Sequence, residues 1–281
     1  MRKAFTRTLV ELAEADPRIM LLTGDLGYMA LEPFSERFPD RFVNAGVAEQ
    51  NMVGVATGLA EAGFIPFVYS IVTFASLRPY EFIRNGPVLH QLPVRVVGVG
   101  GGFEYGPQGT THHGLEDLAV MRVQPGMTVI ATADHRQHAT ALRATWNLPG
   151  PVYYRIGKDD TTEVPGLDGR FRLGHAELVR PGRDVCLVAT GTLPSADAIA
   201  AALGNVPVAL TVEAHYAAGG LGSLVSEVVA ERGIRCRVRR CAVRTTPDGV
   251  SGSQRFMHQV HGLGREALVE TALEALGDAR R

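Results

Sequence analysis

Glu49 stands in the stretch NAGVAEQNMVG (44–54), between small residues and the apolar repeat of an amphipathic helix. A Glu in a first helical turn often does no more than complement the helix dipole. It can also be an acid held against a ligand. Apolar walls favour its neutral form, the helix N-terminus favours the carboxylate, and a bound heterocycle nitrogen resolves the contest by sharing the proton. His112 and His113 lie side by side in the loop GVGGGFEYGPQGTTHHGLEDLAVMR (98–122), just before a helix. Histidine is the proton shuttle of near-neutral pH. Adjacent histidines do not converge easily on one metal, so zinc is disfavoured, no metal ligand is assigned, and one of the pair is expected to be structural. Phe74, Leu77 and Tyr80 recur every three residues in SIVTFASLRPYEFIRN (70–85). Such a stripe is ordinarily core; it also suits one wall for a flat ring, because aromatics stack on heterocycles.

The elements around these residues alternate. Helical spacing over 2–16 (Phe5, Leu9, Leu12, Ala13) stops before Pro17, and the apolar run 19–25 reads as a buried parallel strand. Strands at 42–45, 64–69, 94–99, 128–132 and 152–156 then alternate with helices at 48–62, 73–84, 114–121 and 135–146. That rhythm predicts an α/β doubly wound parallel sheet. In such a sheet ligands bind beyond the carboxyl ends of the strands. The residues this brings forward are Asp25, Glu49, Ser70 to Phe74, the loop from Gly100 to His113, and Arg155. Gly54 and Gly58, four apart on the helix after Glu49, predict a close backbone neighbour on that face.

The polar, turn-rich stretch 157–170 marks a junction, which divides the chain into a unit over 1–160, a linker at 161–170 and a smaller α/β unit over 171–281. The second unit reads as strands at 184–191, 206–213 and 236–243 and helices at 193–203, 219–232 and 265–276.

Composition narrows the function. With 281 residues, 46% apolar and 20% charged, the chain has room for sizeable cores. A formal charge of −1 argues against nucleic-acid and membrane partners. Cys186, Cys236 and Cys241 are odd in number and lack CxxC spacing, which reads as reduced thiols; with no signal-like or spanning apolar run, a cytoplasmic protein is expected. Gly24-Asp25 and Asn51 imitate a GDG…N magnesium–diphosphate signature. However, Leu26 replaces the second glycine and Asn51 falls on a helix, so no phosphate cradle is recognisable.

Taken together, TGDL, GVAEQNMVGVATGLA, TFASL, GTTHHGLEDLAVMRVQPGMTVI, GPVYYRI, VEAHYAAGGLG and HGLG are collinear over nearly the whole chain. They resemble the C-terminal half of transketolase, its pyrimidine-binding plus C-terminal domains. The resemblance implies thiamine diphosphate, with Glu49 on N1′ of the aminopyrimidine, Phe74 stacked on it, and Leu77, Tyr80 and Asp25 completing the pocket. It assigns Asp25, Gln108, His112, His113 and Arg155 to substrate, with Glu49 and His112 catalytic and Arg155 on a distal phosphate. A transketolase's diphosphate-binding domain has no counterpart here, so the chain resembles the small subunit of a split transketolase. A partner would then hold Mg2+ (or Ca2+) and the diphosphate in a heterotetramer of two copies of each chain. The implied reaction moves a two-carbon ketol unit from a ketose to an aldehyde. Departures are Gln108 where the family often has aspartate, Gly100 and Met29 where it has a phosphate-binding histidine and serine, and Ala48 where arginine is common. They point to an acceptor other than an ordinary sugar phosphate. The rival readings are a related enzyme that uses a 2-oxo acid, resembling 1-deoxyxylulose-5-phosphate synthase or a 2-oxoacid dehydrogenase β subunit, a non-catalytic scaffold, and a nucleotide- or flavin-binding module.

Overall fold

The first sheet has strand order β2-β1-β3-β4-β6-β5, every neighbouring pair parallel. Its strands are β1 (Ile19–Thr23), β2 (Phe42–Asn44), β3 (Ile65–Ile71), β4 (Arg95–Val99), β5 (Thr128–Ala131) and β6 (Val152–Ile156). This is a computed structural model, and it describes residues 1–189, 195–246 and 249–279. The central strands β1, β4 and β6 are buried along their whole length, as expected where helices cover both faces.

Alternation along each strand sorts side chains between two cores. Leu21, Tyr69, Val97 and Val99 join Phe5, Leu9 and Phe34 beneath helices α1 (Arg2–Ala15) and α2 (Glu32–Arg37). Leu22, Val68 and Val96 join Met52, Val53 and Ala56 of α3 (Glu49–Glu61) on the other face. The strand order reverses at β1: β2 lies on one side and β3 on the other. Helix α3 connects those two strands, so its N-terminus sits at the switch point beyond the strand carboxyl ends.

The helix expected over 73–84 is divided. Helix α4 runs Val72–Ser76, α5 runs Tyr80–Ile83, and a π-type turn carries the chain through Arg84–Val88. Pro79 is the cause, since a residue before proline is pushed out of helical geometry. Arg78 is left between two short helices. The face of α3 expected to meet another backbone does not meet one among the described residues: a Cβ on Gly58 would touch nothing within 4 Å, and one on Gly54 only the Phe82 ring at 3.7 Å.

Helices α6 (Asp117–Arg122) and α7 (His135–Thr145) complete the first unit. No helix or strand occurs between Ile156 and Val185, a longer irregular stretch than expected, and it is not a free tether. Leu167 is buried, Val164 N–H donates to Asp134, and Gln137 Nε2 donates to the Arg170 carbonyl. The second sheet is parallel, ordered β7 (Val185–Ala189), β8 (Val208–Tyr216), β9 (Arg237–Val243). Helices α8 (Ala196–Leu203), α9 (Leu221–Glu231), α10 (Gln254–Val260) and α11 (Arg265–Ala279) pack around it. The end of the expected strand 184–191 and the start of the expected helix 193–203 fall at 190–194, outside the described residues. The short helices α2 and α10 were not legible as periodic runs.

Candidate active site

Glu49 is the first residue of α3 and is only 1% exposed. It lies in the crevice between β1 and β3. Ser70, on the same face of β3 as Val68, donates its hydroxyl to Oε1 at 3.0 Å. Gly24, just past β1, keeps the approach open, because a Cβ there would lie 3.2 Å from Oε1. Arg78 Nη1 donates to Oε2 at 2.5 Å. The same guanidinium lies over the Phe74 ring, 4.4 Å from its centroid. Phe74 in turn meets the His112 ring edge-on at 5.1 Å. An acid, a hydroxyl, an aromatic face and an imidazole are thus linked through one arginine.

His112 ends the turn Thr110–His112, with Thr111 Oγ1 3.0 Å from Nδ1 and the Tyr105 ring centroid at 6.0 Å. Partial burial pushes its pKa below the ordinary histidine value, and neighbouring His113 adds to the shift. It is therefore neutral at pH 7, with one ring nitrogen able to donate and the other to accept.

Asp25 lies at the rim. It holds a left-handed φ of 56°, and its backbone N–H and Oδ1 pair with the Asn44 side chain at 3.0 and 2.9 Å. Tyr28 donates to the same Oδ1 at 3.1 Å. Gln108 is exposed on the turn Gly106–Gln108, and Leu77 is 41% exposed at the end of α4.

Three expected site residues point elsewhere. Arg155 is 9% exposed; its Nε lies 3.0 Å from Asp117 Oδ2, and Nη2 donates to the Gly114 and Ala214 carbonyls at 2.8 and 3.1 Å. Its charge and planar fork are spent on the seam between the two units, so the distal-phosphate role does not fit this geometry. His113 is buried, with Nε2 on the Gly106 carbonyl at 3.2 Å and its ring edge-on to Phe103 at 5.1 Å. Phe103 belongs to the core of the second unit, which makes His113 the structural member of the pair. The Tyr80 hydroxyl donates to the Val120 carbonyl at 3.1 Å and accepts from Gln124, which ties α5 to the α6 segment. Two site residues escaped the sequence reading. Arg78 was marked by the Arg-Pro step inside a helical pattern. Tyr105 was hidden in the glycine-rich loop and lies under the Lys158 ammonium at 4.1 Å.

The geometry fits a flat, nitrogen-bearing ring. The donor set is a buried carboxylate beside a hydroxyl, the wall is an aromatic face, and the space is one a Cβ at Gly24 would invade. Among the described residues no three His, Cys, Asp or Glu side chains converge to hold a metal, and no helix is long and apolar enough to cross a membrane.

Residues 1–163 match the family model for the transketolase pyrimidine-binding domain. A Methanocaldococcus jannaschii protein named as a transketolase C-terminal section is 33% identical, over 98% of this chain and 96% of its own length. One of the subunits of an apulose-4-phosphate transketolase from Phocaeicola vulgatus is also 33% identical, over 97% and 96%. A solved structure described as a split gene transketolase, an inactive β4 tetramer, superposes with a TM-score of 0.87 at 30% identity and covers 98% of both chains.

Proposed function

The chain belongs to the transketolase family, and we propose that it is the pyrimidine-binding subunit of a two-chain transketolase that moves a two-carbon ketol unit from a ketose to an aldehyde. The observation that carries this reading is the buried Glu49 carboxylate at the α3 N-terminus, paired with Ser70 and joined through Arg78 to the Phe74 face at the sheet's switch point. Near end-to-end correspondence with a C-terminal section, with a single transketolase subunit and with a split-gene chain supports the two-chain form.

Thiamine diphosphate, when bound, supplies the carbon that attacks the ketose and carries the two-carbon unit. In the proposed site Glu49 shares a proton with a ring nitrogen of the cofactor, and Ser70 holds the carboxylate in position. Phe74 provides the stacking face. Neutral His112, beside that face, exchanges hydrogen bonds with substrate oxygens. In this reading Asp25 and Gln108 read substrate hydroxyls. The diphosphate and its Mg2+ or Ca2+ belong to the partner chain, and two copies of each chain complete a pair of sites about a two-fold axis. A cytoplasmic setting suits the three free thiols.

The test is calorimetry with thiamine diphosphate and magnesium, first on this chain alone and then with a chain carrying the diphosphate motif, alongside a two-carbon transfer assay. Weak binding alone, tight binding in the mixture and transfer only in the mixture are expected. Tight magnesium-dependent binding by the isolated chain defeats the two-chain reading.

A further inference from the structure

Arg78 does more than balance a charge. Its guanidinium is planar, cationic and rich in N–H donors. It lies 4.4 Å from the Phe74 centroid and donates to Glu49 at 2.5 Å. A flat nitrogen heterocycle that shares its proton with Glu49 and stacks on Phe74 needs the same two contacts. Both cannot hold them at once. We propose that Arg78 is an internal stand-in for the ring of the ligand: it occupies the pyrimidine subsite until a ligand displaces it, and so sets the affinity of this chain for flat cationic rings.

The surroundings suit an arginine that leaves. Its side chain is 34% exposed, whereas Glu49 is 1% exposed. It sits between α4 and α5, where Pro79 has broken the helix. Among the described residues Glu49 is its one hydrogen-bonding partner, so departure costs no second polar contact. While in place it compensates a carboxylate whose burial without a counter-charge is costly. A ligand therefore meets a neutralised site and must exchange one planar cation for another. A competitor that fills the site in most molecules lowers apparent affinity by the fraction of open sites.

The proposal rests on the thiamine reading only for the identity of the displaced ring. It is tested by titrating the full chain, native and Arg78→Met, with two probes, benzamidine and 4-amino-5-hydroxymethyl-2-methylpyrimidine, by calorimetry or ligand-observed NMR. Arg78→Met is expected to bind both probes roughly ten- to hundredfold more tightly than native, the range that one charged hydrogen bond commands. The gain is expected to vanish in Arg78→Met combined with Glu49→Gln. Arg78→Lys keeps the charge but loses the planar fork, and is expected to gain affinity too. Equal or weaker binding of both probes by Arg78→Met, or no binding at all, overturns the proposal. Gain for benzamidine without any binding of the aminopyrimidine upholds the stand-in role and overturns the thiamine reading. Equal binding of the aminopyrimidine by native and variant chains does the reverse.

Discussion

Arg155 Nε and Asp117 Oδ2 lie 3.0 Å apart in the interior, and the same carboxylate oxygen accepts the Tyr153 hydroxyl at 2.8 Å. Asp117 opens α6, Arg155 belongs to β6, and the arginine reaches on to the Ala214 carbonyl of β8. The pair is thus a rivet between the two units, at the end of the sheet where a substrate arginine was expected. Gly101 makes room for it, since a Cβ there would run into the guanidinium.

Asp117→Asn therefore destabilises the chain by about 3–5 kcal/mol, because it leaves a buried cation without its counter-charge. Replacing both partners with apolar residues, Asp117→Leu with Arg155→Met, removes the unpaired charge but leaves the Tyr153 hydroxyl and the Gly114 and Ala214 carbonyls without these partners, so it recovers only part of that loss. Urea denaturation of the native chain, both of these variants and Arg155→Met alone checks this. If Arg155→Met instead left stability untouched and raised KM for phosphorylated substrates alone, Arg155 would be a substrate residue after all.

Much of the fold was legible because parallel strands buried on both faces write themselves as apolar runs: 152–156 has the same limits in sequence and structure. Glu49 was legible as a carboxylate where an amphipathic pattern begins, and its burial sets it apart from an ordinary surface cap. Arg78 was not, because its role depends on a helix break that spacing alone reads through. His113 and Arg155 have partners other than those expected, for a shared reason. Arg155 stands near the carboxyl end of β6 and His113 in the long loop that follows β4, on the side where ligands bind, but Ala214 and the core around Phe103 meet them there. Contacts between distant segments, such as Arg155 with Ala214 and Phe103 with His261, leave no periodic trace.

His138 gives the chain an acid-sensitive core. It is fully buried, with only the Thr132 hydroxyl within 3.4 Å of Nδ1, and desolvation lowers its pKa to about 3, aided by the positive N-terminal amine. The unfolded chain titrates this group near the ordinary value of 6.5. Its folded pKa is depressed, so between 6.5 and 3 the unfolded state binds more protons. Stability is whole above that window and falls with pH inside it, by about 1.4 kcal/mol per pH unit for one proton. Denaturation curves at several pH values should show this slope in the native chain and a slope shallower by one proton in His138→Leu.

Glu49→Gln keeps the shape of the acid and loses the proton it shares. In the assembled complex with thiamine diphosphate, hydrogen–deuterium exchange at the thiazolium C2 should slow by roughly 10²–10⁴. The thermal midpoint of the free chain should change little, because the amide still accepts from Ser70 and Arg78, which loses its ion pair, is exposed enough to turn to solvent. An unchanged exchange rate would return Glu49 to the role of a first-turn residue.

His112 separates substrate chemistry from cofactor binding. Its ring meets Phe74 by an edge and carries no carboxylate partner among the described residues, so His112→Ala leaves the stacking face in place. In the assembled enzyme this variant should bind thiamine diphosphate and exchange C2 hydrogen like the native protein, while two-carbon transfer falls by roughly 10²–10⁴. Phe74→Ala should do the opposite and weaken cofactor binding first. The pH profile provides a second check. The pKa of His112 lies below the ordinary 6.5, chiefly through desolvation and further through His113. The neutral form therefore persists as pH falls through 6.5, and the acid limb of kcat/KM should begin below that value. Loss of C2 exchange in His112→Ala would show that His112 acts on the cofactor rather than on the substrate, and an acid limb at or above the ordinary histidine value would show that a group other than His112 titrates there.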